Sequence, residues 1–220
     1  GDDGGFFMPA EYVNEVQFAQ TANLPDPVDP APIKRGIGVY YTALNVGRVS
    51  FAIIEDRKWK TGPKGLIPQR GPRPDHINDP AVDPKSLDVA GAELLGERQL
   101  KFLRTWAQDW RGADMKAVLS QTIFTAVPHI HHGSRLLADL DANGWPQTGR
   151  NKSLDEMRRC FAFHIAGDQH LATVIRYGID QWNDGGWAFC VPSIVNFYPR
   201  AWDPAEPPNK AVPTALPRTG

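Results

Sequence analysis

The spacing of apolar side chains predicts two amphipathic helices in the first half of the chain. Residues 8–20 place Pro9 at a plausible first helical position and carry a helical stripe of Tyr12, Val13, Val16 and Ala19. A second helix is predicted over residues 96–110, ending before Gly112, which acts as a stop signal. Its apolar face comprises Leu100, Leu103, Trp106, Ala107 and Trp110.

Runs of β-branched and aromatic residues predict strands between and after these helices. Two such runs flank residues 45–47, which indicates a hairpin leading into a buried strand over residues 49–54. The stretch MKAVLSQTIF predicts a short strand that ends near Ser120, and FAFHIA predicts another that ends just before Gly167. Strands that alternate with helices are typical of a layered α/β fold.

A third helix is predicted between the last two strands. Ser153 and Glu156 have the spacing of a capping box, which would start the helix at Ser153. Its apolar stripe would be Leu154, Met157 and Phe161.

Proline and glycine cluster in segments without a sustained period. Residues 24–34 and the tail at 203–220 are predicted to be irregular. The segment 60–90 is equally aperiodic, and so long a loop inside a domain is usually functional or disordered.

Composition excludes few classes of function. The 220 residues are 41% hydrophobic and 22% charged, as in ordinary globular proteins. A net charge of -1 gives no reason to expect a nucleic-acid partner, and no apolar run is long enough to span a bilayer. Residues 1–20 lack the order of a signal peptide. Buried free thiols are a simpler interpretation of Cys160 and Cys190 than a disulfide, although pairing stays open.

The stretch HIAGDQHLAT places Asp168 and His170 just beyond a predicted strand, on a turn that Gly167 makes permissive. In α/β sheets, ligands gather at the carboxyl ends of strands. A carboxylate oxygen beside an imidazole nitrogen suits iron, manganese or zinc. The residues alone equally allow a turn-capping aspartate and a half-buried histidine.

Three further histidines lie in the stretch VPHIHHG. On an extended chain His129 and His131 would point to the same side, which makes a metal clip conceivable. A mobile substrate loop, or plain exposure of His129, His131 and His132, explains the stretch as well. His164 alternates with apolar neighbours in a predicted strand, which favours a core position.

Acidic and basic residues supply the other candidates. Asp139, Asp141 and Asn143 are rich in oxygen ligands, but the following residues break the pattern of a calcium loop. Arg57 and Arg150 could contact phosphate, because a guanidinium matches two phosphate oxygens. A structural ion pair is the alternative for each.

Four stretches, in the same order, resemble PhoD-like metallophosphatases, a branch of the calcineurin-like metallophosphoesterases also called alkaline phosphatase D. They are VGRVSFAIIEDRKWK, LLGERQLKFLRTWAQDW, DANGWPQTGRN and HIAGDQHLAT, and the likeness extends over residues 36–200. The last is similar to the family's Gly-Asp-Val-His element, with Gln169 in place of valine.

The resemblance implies an α/β fold that forms the C-terminal half of a four-layer αββα sandwich, with residues 1–220 as the C-terminal part of the domain. It implies a phosphomonoesterase or phosphodiesterase in which Asp168 and His170 bind metal, whether iron, calcium, manganese or zinc. Asp141, Arg150 and Arg57 would support the ligands or contact the phosphoester substrate. Family members are often exported, which implies a periplasmic or extracellular location.

The family's earlier ligand motifs do not occur in these 220 residues. We therefore expect this chain to be an incomplete part of the catalytic domain, with full activity requiring sequence N-terminal to it. Two alternatives stay open: a non-catalytic binding domain with Trp- and Pro-rich loops, and a metallophosphoesterase relative that has lost activity.

Overall fold

The computed structural model describes residues 8–142, 144–192 and 198–202. The helices are Ala10–Thr21 (α1), Gly96–Gln108 (α2) and Gln147–Arg158 (α3). The strands are Thr42–Val46 (β1), Val49–Ile53 (β2), His76–Ile77 (β3), Met115–Thr122 (β4), His129–His131 (β5), Ser134–Leu136 (β6), Ala138–Asp139 (β7), Phe163–Gly167 (β8), Thr173–Arg176 (β9), Trp187–Cys190 (β10) and Arg200–Trp202 (β11).

A six-stranded mixed sheet organises the chain, in the order β1-β2-β4-β8-β10-β9. The four inner strands are parallel, and β1 and β9 pair antiparallel at the two edges. Helix α2 connects β2 to β4, and α3 connects β4 to β8, so the chain contains two successive β-α-β units. The predicted α/β class and the predicted hairpin at β1 and β2 are confirmed.

One face of this sheet carries the main hydrophobic core. Ala52, Val118, His164 and Ala188 are aligned across four neighbouring strands, and all are fully buried. Helices α2 and α3 pack against each other, and several of their buried side chains, including Leu103 and Met157, belong to the same core. The core position predicted for His164 is confirmed.

The opposite face of the sheet, here called the open face, is apolar but incompletely covered. Its central row is partly or largely exposed and consists of Ile53, Leu119, Ile165, Phe189 and Val174. Leaving large aliphatic and aromatic side chains partly in water forgoes about 25 cal/mol per Å². This face is therefore where further structure would pack most favourably.

Several details of the predicted helices are wrong. Helix α3 begins at Gln147 after Pro146, and the Ser153 hydroxyl donates to the Gly149 carbonyl inside the helix, so Ser153 is not a cap. Phe161 lies beyond the helix and is 85% exposed. Trp110 likewise follows the end of α2 and is largely exposed. At Phe161 and at Trp110 the helical spacing of apolar residues in the sequence extends past the residue at which the helix ends and the chain turns away from the core.

The aperiodic segment 60–90 is ordered and has its own small core. Ile67, Ile77 and Leu87 pack with Leu140 and Trp145. Strand β3 pairs with β7, which ties this segment to the loop before α3. The buried side chains of this small core come from short pieces of chain that are far apart in sequence, so the segment shows no periodic pattern of apolar residues.

Other expectations have simple outcomes. Cys160 and Cys190 are both buried free thiols. Across the described ranges, none of the helices has the length and apolar character needed to cross a membrane. Asn143 and the predicted irregular tail at 203–220 lie outside the described residues.

Candidate metal and phosphate site

The carboxyl ends of the parallel strands meet at one edge of the sheet. Strand β2 is followed by Asp56 and Arg57, β4 ends at Thr122, and β8 is followed by Asp168. Because β2, β4 and β8 are parallel neighbours, these residues come together although they are far apart in sequence.

Asp56 fastens the ends of β2 and β4 to each other. It is fully buried and accepts hydrogen bonds from the backbone of Gln121 and Thr122, at 3.1 and 3.3 Å, and from the Thr122 hydroxyl. In return the Asp56 amide donates to the Gln121 side chain at 3.0 Å. Burial raises the pKa of Asp56, and the bonds from Thr122 oppose that shift. This clamp fixes the backbone from which Arg57 extends.

Arg57 bridges two carboxylates that the sequence pointed to separately. Its guanidinium donates to Asp168 and to Asp141, both at 2.9 Å. Burial raises the pKa of Asp168, and Arg57 opposes the increase. Asp141 is partly buried, which raises its pKa, but Lys60, 3.0 Å from its Oδ1, and Arg57 lower that pKa overall. Asp141 is thus held as an anion beside Asp168.

The turn after β8 is shaped by the aspartate itself. Asp168 has a φ of 64°, in the left-handed region, whereas Gly167 still belongs to β8. Aspartate tolerates this conformation better than most non-glycine residues. The expectation that Gly167 supplies the conformational freedom is therefore wrong.

A cluster of aromatic rings connects His170 to histidines from other parts of the chain. The His170 ring lies 5.0 Å from the Tyr198 ring, and Tyr198 lies 5.0 Å from His131 and 5.4 Å from His132. His131 also contacts His76 edge-on, at 5.1 Å. A candidate ligand and the VPHIHHG stretch thus share one neighbourhood.

The histidines of that stretch differ in their surroundings. His129 and His131 are buried on strand β5, so the interpretation as plain exposed histidines is wrong for both, while His132 is exposed. Burial, Arg200 and the neighbouring histidines lower the pKa of His131 to about 4. His131 is therefore a neutral imidazole at physiological pH.

A group that sequence reasoning missed lies next to these histidines. Asp75, His76 and Asp139 are all buried, and one potential ligand atom from each lies within 4.8 Å of the others. Arg200 donates to Asp139 at 2.9 Å and also hydrogen-bonds to His129. Of the three, Asp139 was among the sequence candidates. Asp75 and His76 were missed because they lie in the aperiodic 60–90 segment, where no periodicity gives the Asp-His pair a structural context.

Arg150 is not brought to the Arg57 group. It is buried in α3 and donates to the Asn151 side chain at 3.3 and 3.2 Å, and burial lowers its pKa to about 10. Within the described ranges it makes no hydrogen bond to Asp141 or Asp168. The arrangement does not support the phosphate contact expected of Arg150.

The donor set fits part of a metal site. A carboxylate at Asp168, an imidazole at His170 and a second carboxylate at Asp141 suit a transition metal or calcium ion, but a catalytic ion needs about three protein ligands and a pair of ions needs more. Arg57 lies beside both carboxylates, and a planar guanidinium is able to bind two phosphate oxygens together.

Comparison with known proteins finds similarity in structure but not in sequence. No protein-family model matches the chain, and no curated protein matches it. A solved structure described as "Structure of PhoD" superposes with a TM-score of 0.55 at 16% sequence identity. The likeness covers 80% of this chain and 33% of the PhoD chain. The chain therefore has a PhoD-like α/β fold and spans about a third of that protein's length.

Proposed function

We propose that this chain contributes to the active site of a metal-dependent phosphoester hydrolase, with Asp168 and His170 as metal ligands. The observation that carries the proposal is the meeting of Asp168 with Arg57 and Asp141 at the carboxyl edge of a PhoD-like sheet. Ligands are expected at this edge in α/β folds.

Each residue has a distinct role in this proposal. A bound metal ion would polarise the phosphoryl group and supply hydroxide near neutral pH. Asp168 and His170 would hold the ion, and Asp141 would keep the negative charge beside it. Arg57 would exchange its contact with Asp168 for two phosphate oxygens, which its planar guanidinium can bind together.

Further ligands would come from sequence outside these 220 residues. The PhoD chain is about three times as long as the matched region, and the ligand motifs implied by the resemblance are not found here. The open face of the sheet supports the same proposal, because a second sheet packed on it would complete a four-layer sandwich.

The test uses a protein in which this chain is joined to the N-terminal sequence that the proposal requires. Hydrolysis of p-nitrophenyl phosphate and bis(p-nitrophenyl) phosphate should be lost with a chelator and restored by iron, manganese, zinc or calcium. Asp168→Asn and His170→Ala should lower kcat by at least about 100-fold, since single charge-stabilising contacts are worth that much in catalysis. Metal content should fall in both variants.

Asp114→Asn is the matched control, because Asp114 also pairs with an arginine, Arg48, but precedes β4 at the opposite edge of the sheet. It should retain both activity and metal. Full metal content in folded Asp168→Asn and His170→Ala proteins would contradict the proposal and favour a non-catalytic binding domain. Metal that is lost in Asp168→Asn and His170→Ala, combined with no turnover in the wild type, would indicate an inactive relative.

A further inference from the structure

Asp75, His76 and Asp139 form a cluster that the proposed hydrolytic site does not use. Strands β3 and β7 pair so that His76 lies directly opposite Asp139, and side chains of directly paired residues project from the same face of a ribbon. The Leu140 amide donates to the Asp75 carbonyl at 2.7 Å, which fixes the third member. Backbone pairing therefore positions all three side chains in advance.

The buried carboxylates of Asp75 and Asp139 need positively charged partners to offset the loss of hydration. Both carboxylates are almost inaccessible to solvent, and an ionised carboxylate is costly to bury without a strong partner. Arg200 donates to Oδ2 of Asp139 at 2.9 Å, and the half-exposed Arg73 lies 3.4 Å from Oδ1 of Asp75. Arg200 contacts Oδ2 of Asp139, so an ion could bind Oδ1 of Asp139 without displacing Arg200.

An independent observation points to a ligand at the same place. The imidazole of His131 is buried, and its Nε2 has no hydrogen-bond partner in the described part of the chain. Its ring meets that of His76 edge-on at 5.1 Å. A buried nitrogen without a partner is costly, and a metal ion would satisfy it.

We propose that Asp75, His76, Asp139 and His131 bind a divalent transition-metal ion, with zinc as the best match. Two carboxylate oxygens and two imidazole nitrogens make a closed tetrahedral set, as in structural zinc sites. Ligand atoms of a tetrahedral zinc ion lie roughly 3.4 Å apart. The ligand atoms of Asp75, His76 and Asp139 lie within 4.8 Å of one another, so side-chain rotations that move them by about 1 Å would place these three on the ion. Rotation of the neighbouring His131 ring would supply the fourth ligand.

The ion would fasten the 60–90 segment to strands β5 and β7. Asp139 is two residues before Asp141, which pairs with Arg57, so the ion would also hold the loop that carries Asp141. This role is structural and does not depend on the proposed hydrolase activity.

Zinc binding to the full chain tests the proposal. The chain, stripped with a chelator and carrying Asp168→Asn, should bind one equivalent of zinc from ZnCl₂ by equilibrium dialysis and elemental analysis, and zinc should raise its Tm. His76→Phe and His131→Phe keep an aromatic ring but remove a ligand nitrogen. Each should weaken zinc binding by at least about 100-fold, because even residues that merely orient metal ligands contribute 10- to 100-fold.

His132→Phe is the matched control, since His132 is exposed and its ring lies 4.3 Å from that of His131. It should bind zinc as tightly as the parent. Circular dichroism identifies any variant that fails to fold, and cobalt substitution in the parent then reports the ligands directly through its visible absorption. No zinc bound by the Asp168→Asn chain, equal affinity in folded His76→Phe and His131→Phe chains, or a cobalt spectrum without nitrogen ligands would each overturn the site. Those results would leave the hydrolase proposal standing, because that proposal depends on turnover and on Asp168 and His170.

Discussion

Arg57→Met should lower the free energy of unfolding by more than the loss of an exposed ion pair does. The substitution keeps a long apolar stem but removes the guanidinium that bridges Asp168 and Asp141 at 2.9 Å each. The side chains of Arg57 and Asp168 are 28% and 34% exposed, so the bridge is only partly screened by solvent. Hydrogen bonds to charged groups contribute about 1.5 to 3 kcal/mol each. With partial screening and with Lys60 still pairing with Asp141, we expect a loss of about 2 to 4 kcal/mol.

The pH dependence of this loss follows from Asp168. Its pKa is raised because burial outweighs the effect of Arg57. Ionised Asp168 therefore costs the native state stability, and that cost appears as pH rises through its folded pKa. Removing Arg57 raises this pKa further, so the loss should be larger at pH 7 than near pH 3.

Urea unfolding of the chain with a chelator present measures the loss at both pH values. Arg48→Met is the matched control, because Arg48 pairs with Asp114 by two hydrogen bonds, but the two side chains are 68% and 60% exposed. The Arg48→Met variant should lose much less stability than Arg57→Met, because solvent screens an exposed ion pair. If Arg57→Met lost no more stability than Arg48→Met, or lost more in acid than at neutrality, Arg57 would not stabilise the two carboxylates as described.

Three further outcomes test the fold. Leu154→Ala should cost about 2 to 5 kcal/mol by urea unfolding, because Leu154 is fully buried, whereas Phe161→Ala should change stability by less than about 0.5 kcal/mol. Burial lowers the pKa of His164 to about 3, whereas an unfolded histidine has a pKa of about 6.5. As the pH falls below about 6.5, protons bind the unfolded chain first, so the free energy of unfolding should fall by up to about 1.4 kcal/mol per pH unit. His164→Gln should reduce this pH dependence. Cys160 and Cys190 should react with iodoacetamide far more slowly in the native chain than in urea, because burial raises the pKa of both thiols, that of Cys190 to about 11; equal rates, measured by mass spectrometry, would show that the thiols are accessible.

The sequence predicted the framework of the main sheet because that information is local. Periodicity reports which side chains of one segment are buried, and it identified the β1–β2 hairpin, helix α2 and strand β8. It also placed Asp168 just beyond the end of a strand. Element ends were less certain, as Ser153 shows, because a cap depends on the direction from which the chain enters the helix.

Only the tertiary structure determined which residues come together in the site. Arg57 and Asp168 are 111 residues apart in sequence and meet only because β2, β4 and β8 are parallel neighbours. Five of the six histidines collect near the same edge, and His76 joins them from a segment with no periodic pattern. Strand order and the packing of irregular loops arise from contacts between distant residues, and those contacts leave no repeating signal along the chain.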